Sequence, residues 1–534
     1  MLQSAAEPLV SGGGGGAPAA AGNPAILFAF VLIAAMANTL FGYENSVVAT
    51  AVTDFMGCSS CDSAQQGLLK GALALGATLA CPFAGFLQDG LGRRVTLVLC
   101  CAAYMGCAAL NASAAAYAPG GGGGYLQLVV GRVLTGMVVG VFSSTVPMYV
   151  AELSPPAIRG SLVTVNQVCI CTGILLGYMS SLFLSPSWRP QLLAATPLAA
   201  ALLLAFVFVT PYSPRWLMTK GREDEARAVL LRIRGAAAAA AVEAELDAIR
   251  EACDAVAAVK NKYALLLEPH IRWAVTIGVL GAIMQQWGAR GGGAAGGARG
   301  DGPGVPRGGT GEGKRAATDP PPPPPLAVGV NAVNGFAPQI FESAGSTPAE
   351  AHMQTVYIGV AKLVFVLVAL YLMDRVGRKP LLLVGCAGMA VTSALLAASY
   401  ELRGAGANSL AVAALVLYMA FFEISLGPIL WLLLSELYPL QVKGVAMSIG
   451  ATATWLMTYV VNQTYLPMTK SSLGVPGSFY FFAAVSAASG LWIWAYLFET
   501  KGRTLEEIQA LLKGEKVARP RDPEHELAHL ATAE

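Results

Sequence analysis

The amino-acid sequence predicts an all-α membrane protein with twelve transmembrane helices in two six-helix halves. Three observations predict it. Hydrophobic residues make up 55% of the 534-residue chain and charged residues only 12%, and the mean hydropathy is positive. A soluble protein of this size needs far more charge to cover its surface. Apolar runs of about 20 residues recur, each long enough to cross a hydrocarbon core of roughly 30 Å. Short charged motifs also return in the same order at a nearly constant offset, as in transporters built from repeats.

The elements follow in order. Residues 1–24 form a glycine- and alanine-rich tail, disordered by composition. Six apolar runs fill the first half (25–210), at about 25–47, 66–88, 95–115, 125–149, 161–184 and 190–210. A charged, alanine-rich stretch follows (211–265). Within it, REDEARAVLLRIR (222–234) places Ala226, Val229, Leu230 and Ile233 on one face, which predicts short amphipathic helices beneath the bundle. The second half (266–498) holds a run at about 271–287 continued by 329–341, then runs at about 354–373, 380–399, 409–434, 444–467 and 477–497. Residues 499–534 are a polar tail.

The net charge of +2 excludes nothing, but its distribution orients the chain. Arg93 and Arg94 follow the second run, Arg159 the fourth, and Arg215, Lys220, Arg222 and Arg227 the sixth. Arg375, Arg378 and Lys379 follow the eighth, Lys443 the tenth, and Lys501 and Arg503 the twelfth. The opposite loops carry Arg189, Arg403 and Lys470, with Lys70 near the start of the second run. The positive-inside rule therefore predicts that both termini are cytoplasmic. No Lys or Arg precedes Lys70, so the first run is expected to serve as the targeting element in place of a secretory signal. Most of the ten cysteines lie within apolar runs, where they act as small apolar side chains. Cys58 and Cys61 form a lone CxxC in a loop, with a disulfide or two free thiols expected rather than a metal.

The repeat is read from its motifs. DGLGRR (89–94) returns as DRVGRK (374–379), 285 residues later, and AELSPPAIRG (151–160) as SELYPLQVKG (435–444), 284 residues later. TKGR (219–222) returns at 500–503. Asp89, Arg93, Arg94, Glu152 and Arg159 thus have counterparts in Asp374, Arg378, Lys379, Glu436 and Lys443. Acids and bases gathered at helix ends can pair in one state and part in another, which predicts a cytoplasmic latch.

These motifs, with GRVLTGMVVG (131–140), PYSPRWL (211–217), GPILWLLLSELYP (427–439) and FETKGRT (498–504), resemble the sugar porter family of the major facilitator superfamily. The resemblance spans about 25–288 and 328–510. It implies the major facilitator fold and alternating access of two rocking halves to a central hexose site. It also implies Gln167, Gln285, Gln286, Asn331 and Trp431 as sugar-binding positions. The chemistry suits them: neutral amides donate to and accept from hydroxyls at mid-membrane, and an indole packs the apolar face of a pyranose. The family often has Asn where Lys362 stands, making Lys362 an extra polar position. The GYE of the first run and Lys362 are similar to the plant vacuolar glucose transporter-like group.

Glu44 lies in the otherwise apolar first run, where a charge costs roughly 2.5–3.5 kcal/mol. It must pair or take up a proton. Arg132 in the fourth run is the expected partner, and Lys362 offers a second cation. Proton symporters of the family carry an acid and an arginine at these places, so the resemblance implies sugar–proton symport. A fixed structural salt bridge is the alternative reading. Glu423 is expected to join the cytoplasmic latch. No catalytic triad, P-loop or metal cluster is present, so the chain is not expected to be an enzyme and needs no cofactor. The implied partners are a sugar, a proton and the lipid bilayer, with no nucleic acid and a monomeric state. Plasma membrane is the first expectation for location, with vacuolar or plastid membrane as alternatives. Facilitative uniport, transport of inositol or xylose, and a non-transporting sugar sensor are the competing functions.

One segment breaks the pattern. After Gln285, Gln286 and Trp287, residues 288–327 bring glycine, six successive prolines and mixed charge into the seventh run. At mid-membrane such a stretch would leave backbone groups unsatisfied. It is expected to be a translated intron, with a real loop insertion as the alternative. Its forty codons keep frame, Gly288 can encode a GT donor, residues 320–326 a pyrimidine tract, and Ala327–Val328 a terminal AG. Removal restores QQWVGVNAVNGFAPQIF. Sequencing reverse-transcribed message across this region is expected to show it spliced out; retention in every mature transcript rules the idea out.

Overall fold

The computed structural model describes residues 24–56, 63–115, 123–155, 158–257, 262–287, 330–343, 345–402, 406–439, 441–472, 474–501, 503 and 505–515. The N-terminal tail, Cys58, Cys61, the 288–327 insertion and most of the C-terminal tail lie outside them.

The first half consists of α1 (Pro24–Met56), α2 (Ser63–Leu91), α3 (Arg93–Ala112), α4 (Gly123–Leu153), α5 (Arg159–Leu184), α6 (Trp188–Leu193) and α7 (Thr196–Phe208). Helices α6 and α7 together form the sixth span. Beneath the bundle lie α8 (Pro214–Thr219), α9 (Glu223–Arg234), α10 (Ala239–Ala257) and α11 (Lys262–Leu265). The second half comprises α12 (Pro269–Trp287), α13 (Val330–Ser343), α14 (Pro348–Val376), α15 (Arg378–Glu401), α16 (Gly406–Ile424), α17 (Leu426–Leu437), α18 (Lys443–Lys470) and α19 (Gly474–Tyr496), followed by α20 (Leu505–Leu512).

Eleven spans among the described residues are long and apolar enough to cross a membrane. The twelfth of the fold is the seventh run, divided between the 19-residue α12 and the 14-residue α13. The tenth span is also broken, at Ser425 between α16 and α17.

The sequence repeat reappears as a repeat of helix pairings. In the first half α1 packs on α5, α2 on α4, and α3 on α4 and α7. In the second, α12 and α13 pack on α18, α14 on α16, and α15 on α16 and α19. The halves meet along two matching seams, α2 against α18 and α5 against α14, with α1 touching α13. Leu73, Ala74, Ala77, Cys81 and Val139 of the first half and Ala451 and Trp455 of the second form an apolar cluster at the α2–α18 seam.

Small residues let these backbones approach. A Cβ at Gly136 in α4 would stand 2.0 Å from the Leu73 carbonyl oxygen in α2, so the spacing of GRVLTGMVVG reflects helix contact rather than ligand binding. At the helix ends, Gly92 (φ 84°) and Gly377 (φ 100°) occupy matching places in DGLGRR and DRVGRK. Both take the left-handed backbone that links one span to the next, which explains a glycine in each copy.

Beneath the bundle, Ala226, Leu230 and Ile233 are buried as the periodicity of α9 requires. Ala226 and Leu230 pack with Trp216, Leu217, Val242, Leu246 and Ile249, while Ile233 joins the core of the first half.

Gly136→Val should lower the melting temperature of the detergent-solubilised protein by the equivalent of about 1–3 kcal/mol or more, because α2 and α4 must separate. Gly106→Ala, at a site with no neighbour within 4 Å of the added carbon, is the control expected to melt like wild type. Equal melting of both variants would show that the close approach is not required.

Candidate functional site

Among the described residues, two buried acid–base pairs lie within the spans, one in each half. Glu44 in α1 is 1% exposed and Arg132 in α4 is 1% exposed. Their closest approach, Nη1 to Oε2, is 2.5 Å. Arg132 Nη2 also donates to the Glu44 carbonyl at 3.0 Å, and Tyr104 in α3 donates to Glu44 Oε1 at 2.8 Å. Three spans are thereby joined around one carboxylate. The expected Glu44–Arg132 partnership is present; Tyr104 is an addition that periodicity alone does not reveal.

Lys362 does not serve Glu44. Its ammonium in α14 lies 2.5 Å from Glu423 Oε1 in α16. The expectation that Glu423 joins the charged latch is likewise corrected: it is wholly buried, and its other oxygen accepts from Gln167 at 3.1 Å. The reason is geometric, since α14 and α16 pack against each other within one half and Glu44 belongs to the other half.

The five sugar-binding positions implied by sequence resemblance distribute as follows. Gln167 in α5 reaches across the seam to Glu423 and also lies 3.9 Å from Cys171 Sγ. Gln285 donates to the carbonyls of Leu426 and Gly427 at 2.8 and 3.3 Å, at the break of the tenth span. Gln286 donates to Gln285 Oε1 at 3.1 Å. Trp431 in α17 is half-buried and packs against the apolar core of the second half and against the α2–α18 cluster. Asn331 lies in α13, and its side chain is outside the described residues. A second indole not assigned a role above, Trp455 in α18, donates to Ser143 Oγ at 3.2 Å and packs on Phe41 with ring centroids 5.1 Å apart.

The motif charges gather at one end of the bundle. Arg93 pairs with Asp89 at 3.3 Å and with Glu152 at 3.0 Å. Arg94 donates to the carbonyls of Phe206 and Val207, tying α3 to the end of α7. In the second half Arg378 pairs with Glu436 at 3.2 Å, and Thr500 donates to the other Glu436 oxygen at 2.7 Å. Each motif acid thus pairs with the arginine of the preceding motif rather than with the base seven residues after it. Arg159 instead donates to the Ser154 carbonyl at 3.4 Å, and Lys443 begins α18. The Asp374 side chain lies outside the described residues. Burial raises the Glu436 carboxyl above the usual carboxylate range, against the pull of the adjacent Arg378 guanidinium.

Glu499, in FETKGRT, was not singled out from the sequence. It accepts from the backbone N–H groups of Arg378, Lys379 and Lys501 at 3.0, 2.9 and 2.8 Å. It therefore caps the start of α15, satisfying amides that a helix start leaves open. A carboxylate at the end of the twelfth span, directly before the repeated TKGR, was the available signal.

At the opposite end the halves are clasped. Lys70 in α2 donates to Gln339 of α13 at 2.9 Å and lies 3.6 Å over the Phe336 ring. Tyr178 of α5 donates to the Asn334 carbonyl at 3.1 Å.

Comparison with known proteins bears on this arrangement. A family model described as "Sugar (and other) transporter" matches residues 30–288 and 326–512, leaving 289–325 unmatched within the predicted insertion. The galactose-proton symporter of Escherichia coli (strain K12) is 31% identical over 504 residues, covering 93% of this chain and 96% of that protein. The glucose facilitated diffusion protein of Zymomonas mobilis is 30% identical over 512 residues, covering 91% and 97%. The solved structure of the major facilitator superfamily proton:xylose symporter XylE bound to 6-bromo-6-deoxy-D-glucose superposes with a TM-score of 0.73 at 26% identity, covering 92% of this chain and 100% of that one.

Glu499→Ala should destabilise the solubilised protein by about 1–3 kcal/mol, because three backbone donors lose one acceptor. Glu499→Gln, which keeps a single carbonyl acceptor, should fall between alanine and wild type in a thermal melt. Alanine melting at the wild-type temperature would remove the cap from the account.

Proposed function

Because the chain belongs to the Sugar (and other) transporter family, we propose that it carries a monosaccharide across its membrane by alternating access, with proton entry at Glu44 driving uptake. The observation that carries the coupling is the buried Glu44–Arg132 pair, with its second support from Tyr104. Such a pair stays charged while both partners are present, and parts when the acid takes a proton. Protonation would release Arg132 and loosen α1 from α4, biasing one access state: a two-state element driven by one proton. The sugar would lie between the halves, held by Gln167, Gln285, Gln286 and Asn331, with Trp431 against its apolar face. The motif charges would face the cytoplasm and act as the latch, and the Lys70 clasp would close the opposite side. Plasma membrane is the location this reading favours.

Facilitative uniport is the second reading. The likeness to a facilitated-diffusion protein supports it, and in it Glu44–Arg132 is a permanent bridge. Uptake under imposed pH gradients separates the two. In transporter-null cells, a panel of labelled hexoses, pentoses and polyols identifies the substrate first. Wild type is then expected to accumulate that sugar when the far side is acidic, whereas Glu44→Gln only equilibrates it. Wild-type uptake indifferent to the gradient establishes the uniporter.

Two further measurements test the site and the latch. Trp431→Ala should raise KM strongly with insertion intact, and Gln167→Ala should weaken binding by about 1–3 kcal/mol through unpaired hydroxyl partners. Arg93→Ala, remote from the sugar, should slow counterflow exchange while equilibrium affinity changes little. If its affinity falls as far as its transport, the latch assignment is wrong.

A further inference from the structure

The pair Lys362–Glu423 stands where the other half of the molecule has no charge. The motif offsets of 285 and 284 residues place Lys362 opposite Ala77 and Glu423 opposite Val139. Ala77 and Val139 belong to the apolar cluster at the α2–α18 seam. The α2–α4 pairing therefore packs with an alanine and a valine at the positions where α14 and α16 carry an ammonium and a carboxylate. Holding the two helices together does not require the charges, and burying them in the membrane is costly.

Geometry gives the pair another use. Lys362 and Glu423 side chains are 2% and 0% exposed, with Nζ 2.5 Å from Oε1. The other oxygen, Oε2, accepts from Gln167 Nε2 across the seam at 3.1 Å. The same amide nitrogen has Cys171 Sγ as its other neighbour, at 3.9 Å. The donor side of Gln167 is thus engaged by a carboxylate of the opposite half.

We propose that Glu423 is a built-in surrogate for the sugar, and that Lys362 is the positioning residue that keeps its carboxylate charged and aimed at Gln167. The proposal rests on the reading of Gln167 as a sugar ligand. In the empty carrier the Gln167–Glu423 bond joins α5 to α16, and so one half to the other. A sugar hydroxyl that takes the Gln167 N–H now given to Glu423 displaces the carboxylate, which breaks this bond between the halves as the site fills. The charged acceptor makes the displacement costly, because hydrogen bonds to charged groups are stronger than neutral ones. The pair thereby lowers sugar affinity and links occupancy of the site to release of the seam.

The test is equilibrium binding of labelled D-glucose, D-galactose and D-xylose to the purified full-length protein, read on whichever sugar binds wild type most tightly. Lys362→Met/Glu423→Gln removes both charges together, so neither is left buried alone. Glu423→Asp keeps the ion pair but draws the carboxylate back from Gln167 by one methylene, and guards against misfolding of the double variant. Each is expected to bind sugar about three- to tenfold more tightly than wild type. Unchanged affinity in the folded variants overturns the surrogate role. Weakened affinity overturns it too, and makes Glu423 itself a sugar ligand. Gln167→Ala in the same assay separates the two levels of the argument. If it weakens binding while the Glu423 variants do not tighten it, only the surrogate fails; if it leaves binding unaltered, the placement of the sugar at Gln167 fails.

Discussion

A charge buried in hydrocarbon has to be matched inside the fold, and the meeting of Glu44 and Arg132 is where this requirement organises the first half. Arg132 contacts both the carboxylate and the backbone carbonyl of Glu44, and Tyr104 takes the remaining carboxylate oxygen. Helices α1, α3 and α4 are therefore held at one depth relative to each other. The α2–α4 approach through Gly136 then brings α2 into the same assembly, and α2 carries the seam to the other half. Removing one partner of a buried pair costs about 3–5 kcal/mol, which is comparable to much of the stability of a domain. The apolar packing is extensive but non-directional; the pair supplies register.

The two halves share a wiring diagram and differ in chemistry. Their helix pairings correspond one to one, their linking glycines share a left-handed backbone, and their motif acids each bind the arginine of the preceding motif. The intramembrane charges do not correspond. In the first half the pair joins α1 and α4, whereas in the second it joins α14 and α16. Under the proposed function, the first pair answers to a proton and the second faces the ligand, a division of labour that a strictly symmetric molecule could not have. The asymmetry arises within a conserved backbone plan, so it is a property of side chains at a few positions rather than of the fold.

The fold was legible in the sequence because its determinants are local. Apolar length marks a span, a charged motif marks its end, and a constant offset marks the repeat; none needs knowledge of which helices touch. The partner of Glu44 was legible for a different reason, since Arg132 lies in a motif already identified. The Lys362–Glu423 pair was not, although both residues stood out as charges in apolar runs. A span's composition carries no record of its neighbours, and Lys362 was matched to the wrong acid. The repeat held the missing information: α2 packs on α4, so its counterpart α14 packs on α16, and the two charges fall on facing helices. The break of the tenth span at Ser425 escaped for a related reason. Its sequence holds Gly427–Pro428 just beyond the break, where proline has no N–H for the Ile424 carbonyl, but no mark of the side chain that takes the Leu426 and Gly427 carbonyls, Gln285, 140 positions earlier than Ser425.

That contact bears on how a sugar would bind at the centre of the molecule under the proposed function. Polar side chains at mid-membrane draw their partners from the protein, because hydrocarbon offers none. Gln285 is accordingly placed on the carbonyls of the broken span, Gln286 on Gln285, and Gln167 on Glu423. On the proposed placement of the sugar at these residues, it would not fill vacant hydrogen-bonding positions but exchange partners with groups already engaged. Its net affinity is then a small difference between two sets of bonds, as expected of a carrier that must also let go. Each exchange also has a structural consequence, since the bonds given up are those that hold a helix break and join the two halves. In a site built this way, occupancy and conformation are coupled by the same hydrogen bonds, and no separate relay between binding and movement is required.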